Sequence, residues 1–156
     1  MKETDTIEND LKSMGLTLPP LPKRSGNYLP AKQHGKCIYL SGITCKTNGQ
    51  IEYKGKVGED VSTEDAYYAA RLCTLNHLAV IKSMVGSLEQ IKSVIKLVGY
   101  VNCRDDYQDV PLVINGASDL LIELFGERGQ HARCAVGVSS LPGLAAVETD
   151  LIVEVK

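Results

Sequence analysis

The chain has 156 residues, 44 % of them hydrophobic and 23 % charged, which is the balance of one globular domain. Its formal charge of −2 at pH 7 gives no general pull toward nucleic acid or an anionic membrane. No apolar run approaches the ~20 residues of a membrane helix, and residues 1–13 are too polar and acidic for a signal or transit peptide, so a cytoplasmic protein is expected.

Residues 4–14 have Ile7, Leu11 and Met14 at helical spacing, with Gly15 as a stop. The Pro-rich stretch 18–22 then breaks regular structure. Residues 1–22 therefore read as a helical appendage with a linker, and 23–156 as the main domain. Strands are predicted over 27–32 and 36–43, with a turn at Gln33-His34-Gly35. Residues 44–58 are rich in glycine and polar side chains and read as a loop that holds at most a short strand.

Ser62-Thr63-Glu64-Asp65 has the form of a capping box and opens a long helix to Val85, stopped by Gly86. Ala66, Ala70, Cys73, Val80 and Met84 give it one apolar face. A β-branched strand follows over 91–102, then a helix over 110–125 ended by Gly126, then strands over 132–140 and 146–155 joined at Pro142-Gly143. The order ββαβαββ predicts an α+β domain, a mixed sheet with both long helices on one face.

In the last strand Val147, Thr149, Leu151, Val153 and Val155 suit the helix side, leaving Glu148, Asp150, Ile152 and Glu154 on the other. In the strand before it, Cys134, Val136 and Val138 are assigned to the helix side. Arg133, Ala135, Gly137 and Ser139 are assigned to the open face. Small residues beside one arginine fit a solvated surface, or a pocket floor on which Arg133 grips an anion with its planar fork. The five cysteines, at 37, 45, 73, 103 and 134, are odd in number and form no C-x-x-C pair. They read as reduced thiols, with no disulfide framework and no metal site.

The run His131-Ala132-Arg133-Cys134-Ala135-Val136-Gly137-Val138, then Leu141-Pro142 and Val147-Glu148, resembles the C-terminal signature of the RidA/YjgF family. Asn27-Tyr28, the strand end Ser41-Gly42 and Asn115 near the start of the second long helix resemble further family positions. The resemblance covers residues 24–156. It implies a chorismate-mutase-like fold and a homotrimer with small-carboxylate sites between subunits. It also implies a deaminase, a hydrolase of reactive enamines and imines such as 2-aminoacrylate, that needs no cofactor.

Carried onto this chain, the resemblance gives Arg133 the substrate carboxylate, helped by the backbone N–H near Ala135. It gives the Gly42 carbonyl the imine nitrogen, Glu148 the attacking water, Tyr28 the closing of the cleft and Asn115 its wall. Each has a plainer alternative: an interface ion pair for Glu148, packing for Tyr28, a helix cap for Asn115, a strand end for Ser41 and Gly42. His34, His77 and His131 are expected to be structural or exposed. The family often has a cysteine where this chain has Ala135, and Cys134, assigned to the helix side, does not replace it.

A tight hairpin at 141–144 would set Gly137 opposite Glu148 and leave Arg133 roughly 13 Å further along. The extra N-terminal segment and the longer 44–58 and second-helix regions place the chain with longer members, for which the imine substrate is open. The readings carried forward are the imine/enamine hydrolase, a non-catalytic binder of a small carboxylate or keto acid, and an endoribonuclease or translation inhibitor.

Overall fold

The computed structural model describes residues 6–156, so the predicted helix start at residue 4 lies outside the described residues. Helix α1 (Thr6–Ser13) places Ile7 and Leu11 one turn apart, and both are buried in the common core. Gly15, at φ +72°, lets the chain turn off the helix. Strands β1 (Ala31–His34) and β2 (Cys37–Thr44) pair antiparallel around Gly35. The first of these was expected at 27–32. Residues 24–28 instead form a loop, in which the Arg24 guanidinium donates to the Tyr28 carbonyl at 2.8 Å. Gln33 and His34 consequently belong to the strand and not to the turn.

Within the predicted loop 44–58 lies a small hairpin, β3 (Lys46–Thr47) with β4 (Gln50–Ile51). Asn48 and Gly49 make its turn with φ of 52° and 79°, the left-handed pair that a two-residue hairpin loop requires. Helix α2 (Thr63–Val85) is capped as expected: the Ser62 side chain accepts the Asp65 N–H, and Gly86 takes a positive φ at the far end. Strand β5 (Ile91–Asn102), helix α3 (Val110–Phe125), strand β6 (Ala132–Val138) and strand β7 (Val147–Val155) complete the chain. The α+β architecture is the expected one, with α2 and α3 covering one face of the main sheet, and α1 packs on α3.

The main sheet has the order β1-β2-β7-β5-β6. The predicted β6–β7 hairpin does not exist. After α3 the chain returns parallel to β5 along its outer edge, then crosses the end of β5 to fill the slot between β5 and β2. Strand β7 is therefore central. Its alternation is the one expected, with Val147, Thr149, Leu151, Val153 and Val155 buried. Strand β6 is an edge strand.

The facing assigned to β6 is also corrected. Arg133 stands opposite Leu97 and Ala135 opposite Gly99, on rows whose β7 members, Leu151 and Thr149, are buried on the helix side. Cys134 and Val136 share rows with Asp150 and Glu148 and lie on the open face, where both are exposed. Apolar character misled here because this face, although open in one chain, is itself partly apolar: Tyr39 is 47 % exposed and Val136 40 %. Among the described residues no helix is long and apolar enough to cross a membrane.

Candidate functional site

Between Leu40 and Ile43 strand β2 carries one residue more than β7 opposite it, a bulge that falls at Ser41-Gly42. The Glu148 side chain fills the space a Cβ on Gly42 would need: such a Cβ would stand 2.5 Å from Glu148 Oε1. The Ser41 hydroxyl donates to the Leu29 carbonyl at 2.6 Å and its N–H to the Pro30 carbonyl at 2.9 Å, which ties the 28–30 loop to the strand. Tyr28 stands on that loop, 42 % exposed. Around these groups is a cavity of about 80 Å³ lined by Tyr28, Ser41, Gly42 and Glu148. That is several times the ~10–15 Å³ one water needs.

Burial raises the Glu148 pKa, the nearby Asp150 carboxylate raises it further, and Lys46 opposes both. Asp150, also raised by burial, accepts a hydrogen bond from the Tyr100 hydroxyl at 3.2 Å. The arrangement is a half-buried carboxylate with raised proton affinity beside open space, the environment of a general base.

The other three predicted residues form a second group. On the helix side of β6, Arg133 donates through Nη1 to Asn115 Oδ1 at 2.7 Å and to Ser118 Oγ at 3.2 Å, and through Nη2 to the Pro111 carbonyl. Asn115 is in the second turn of α3, whose N-cap is Asp109, so Asn115 is not the helix cap. His131 extends this group. Its Nδ1–H donates to the Gly129 carbonyl at 2.6 Å, which leaves Nε2 to accept the Ser118 hydroxyl at 2.9 Å. Ala135 is half-buried against the core on the same edge strand.

Glu148 and Arg133 do not meet within one chain. They are two strands apart, about 10 Å across the sheet, and point to opposite faces. The structure thus brings together Tyr28, Ser41, Gly42 and Glu148, and separately Asn115, Arg133 and Ala135. Sequence reasoning missed Lys23, Arg24 and Lys46, which also line the cavity, and Ser118, which holds Arg133 and is itself bonded to His131. Lys23 and Arg24 follow a proline-rich linker and Lys46 opens a two-residue strand, so no periodicity marked them. Among the described residues no cluster of three His, Cys, Asp or Glu side chains is placed to hold a metal.

Fold and cavity define a chorismate-mutase-like α+β domain with a small carboxylate-bearing cleft at a sheet bulge. Residues 8–153 match the family described as "YjgF/chorismate mutase-like, putative endoribonuclease". The chain belongs to this YjgF/RidA family. It is 36 % identical to protein TCP17 of Trypanosoma cruzi over 149 residues, 95 % of this chain and 93 % of that one. The crystal structure of Atu1372 from Agrobacterium tumefaciens, a protein of unknown function, superposes with a TM-score of 0.92 at 44 % identity, covering 97 % of this chain and 94 % of that one. A putative endoribonuclease from Shewanella oneidensis superposes with a TM-score of 0.92 at 34 % identity, covering 96 % and 99 %.

Proposed function

We propose that the protein is a cytoplasmic homotrimer that hydrolyses reactive enamines and imines of 2-keto acids, such as 2-aminoacrylate, at clefts between subunits. The observation that carries this reading is the Glu148 carboxylate, half-buried, with a raised pKa, against the Gly42 backbone in a cavity beside Tyr28. The split between the Glu148 group and the Arg133 group supports a site shared by two copies. So does the partly apolar open face bearing Tyr39 and Val136, which a second copy would cover. The free cysteines suit a reducing cytoplasm.

In the cleft, Arg133 of one copy binds the substrate carboxylate, held in place by Asn115 and Ser118 and helped by the backbone N–H near Ala135. The Gly42 carbonyl of the other copy accepts the N–H of the protonated imine. Tyr28 closes over the ligand, on the loop that Ser41 ties down. Glu148 takes a proton from water as the water oxygen bonds to the imine carbon and the C=N electron pair moves to nitrogen. A proton then returns to that nitrogen, the hydroxyl loses its own, the C–N bond breaks, and ammonia leaves a 2-keto acid. The imine is already electrophilic, so positioning and one base suffice and no cofactor is required.

A binder of the same small carboxylates would share Arg133 but not need Glu148 as a base. The formal charge of −2 at pH 7 gives no general attraction for RNA, which weighs against an endoribonuclease. The test generates 2-aminoacrylate in situ and follows its disappearance. The hydrolase reading expects acceleration by the wild type that is lost in both Arg133→Ala and Glu148→Gln. A folded wild type that gives no acceleration removes 2-aminoacrylate as the substrate. Ligand binding that survives in Glu148→Gln without any turnover in the wild type favours the binder.

A further inference from the structure

The cavity carries more positive charge than one carboxylate can use. Lys23, Arg24 and Lys46 line it against Glu148 alone, a formal excess of two positive charges. Among the described residues none of the three forms an ion pair. Their hydrogen bonds go to neutral carbonyls: Lys46 Nζ donates to Lys23 O at 3.2 Å and Arg24 Nη1 to Tyr28 O at 2.8 Å. Such bonds fix where the Lys46 and Arg24 cations stand without neutralising them. A lysine has three donors and an arginine five, so both keep donors for a ligand.

The backbone around these side chains is held as well. Lys46 pairs with Ile51 across the hairpin, and its carbonyl accepts from Asn76 Nδ2 at 2.9 Å. Arg24 is bound to the turn that carries Tyr28. Lys46 also acts on the cavity electrostatically, since it lowers the proton affinity that burial and Asp150 give Glu148.

We propose that this cavity takes a ligand with two anionic groups, a short 2-keto or 2-imino dicarboxylate, whose second carboxylate is held by Lys46 and Arg24 with Lys23 beside them. The inference deepens the reading above, in which Arg133 of another copy holds the first carboxylate. A single carboxylate would leave Lys23 and Arg24, both exposed, and the half-buried Lys46 with donors that no anion uses. A second carboxylate supplies charge-assisted bonds to them. The small cavity, about 80 Å³, favours a short chain between the two acids.

Calorimetric titration of the full-length protein with 2-oxoglutarate, oxaloacetate and pyruvate at pH 7 tests this without requiring turnover. A dicarboxylate is expected to bind about tenfold more tightly than pyruvate or better, as one charge-assisted pair allows. In Lys46→Gln and in Arg24→Gln the ratio of dicarboxylate to pyruvate affinity falls toward one. Thermal melts confirm that each variant is folded, and if one is not, the other decides. Equal affinity for pyruvate, no binding of either dicarboxylate, or a preference untouched in a folded variant overturns the proposal. Dicarboxylate preference with no imine hydrolysis sinks the hydrolase reading and keeps this one. Hydrolysis of 2-aminoacrylate with no dicarboxylate preference does the reverse.

Discussion

Gly42 and Glu148 occupy one another's space: the Oε1 atom lies 2.5 Å from where a Cβ on the glycine would be. The bulge at 41–42 and the missing side chain together let the carboxylate rest on the β2 backbone at the cavity wall. Gly42→Ala would push the carboxylate aside without forbidding the backbone, since Gly42 is not among the positive-φ positions. The expected result is a fall in turnover of about tenfold or more, from misplacement of the base. The melting temperature should change little, because the obstacle is the end of a flexible side chain. Unchanged turnover would remove Glu148 from the reaction.

The pH profile should report the same carboxylate. As the base, Glu148 must be ionised, so the rate rises with pH through a midpoint above the ordinary glutamate range, because burial first and Asp150 second favour the proton. Asp150→Asn removes a negative neighbour and should move that midpoint down. Lys46→Gln removes a positive neighbour and should move it up. Rate profiles of the three proteins between pH 4 and 8 check this, and shifts in the same direction would refute the assignment.

Stability carries the complementary sign. With its folded pKa raised, Glu148 stabilises the protein most when neutral, below its unfolded pKa, and this stability is lost as pH rises through the folded pKa. Glu148→Gln should therefore melt slightly higher than the wild type at pH 7, the gain being kept small by the partial exposure of the group. The difference should vanish near pH 4. A lower melting point at pH 7 would mean that the carboxylate has a partner that stabilises its charge.

Helix α1 contributes Leu11, which is 1 % exposed, to the common core. Leu11→Ala should cost about 2–5 kcal/mol of unfolding free energy, the range for emptying a buried leucine site. Chemical denaturation measures it. A loss well under 1 kcal/mol would show that α1 detaches before the domain unfolds.

Local signals were legible in the sequence where they are self-contained. Ser62 and Gly86 bound α2 where the capping pattern put them, and the apolar alternation of β7 named its buried face. The partner of β6 was not legible. Its pairing with β5 depends on the α3 crossover and not on the Pro142-Gly143 turn beside it in sequence. Its facing inverted for a related reason. Cys134 and Val136 look like core residues but lie on the open face, while Arg133 is accommodated on the helix side by Asn115 and Ser118 of α3. The Asn48-Gly49 turn, which marks the hairpin that positions Lys46, went unread inside the stretch 44–58 taken as a loop. Family resemblance named Tyr28, Gly42 and Glu148, which the structure gathers, yet could not indicate that Arg24 and Lys46 stand with them.

The central claim is a site assembled from the Glu148 of one copy and the Arg133 of another, and subunit mixing tests it most directly. Arg133→Ala and Glu148→Gln proteins are each expected to be inactive on 2-aminoacrylate. Co-refolded in equal amounts into random trimers, they should recover about a quarter of wild-type activity, because one in four interfaces then joins an intact arginine to an intact glutamate. A mixture no more active than its parents would contradict the account.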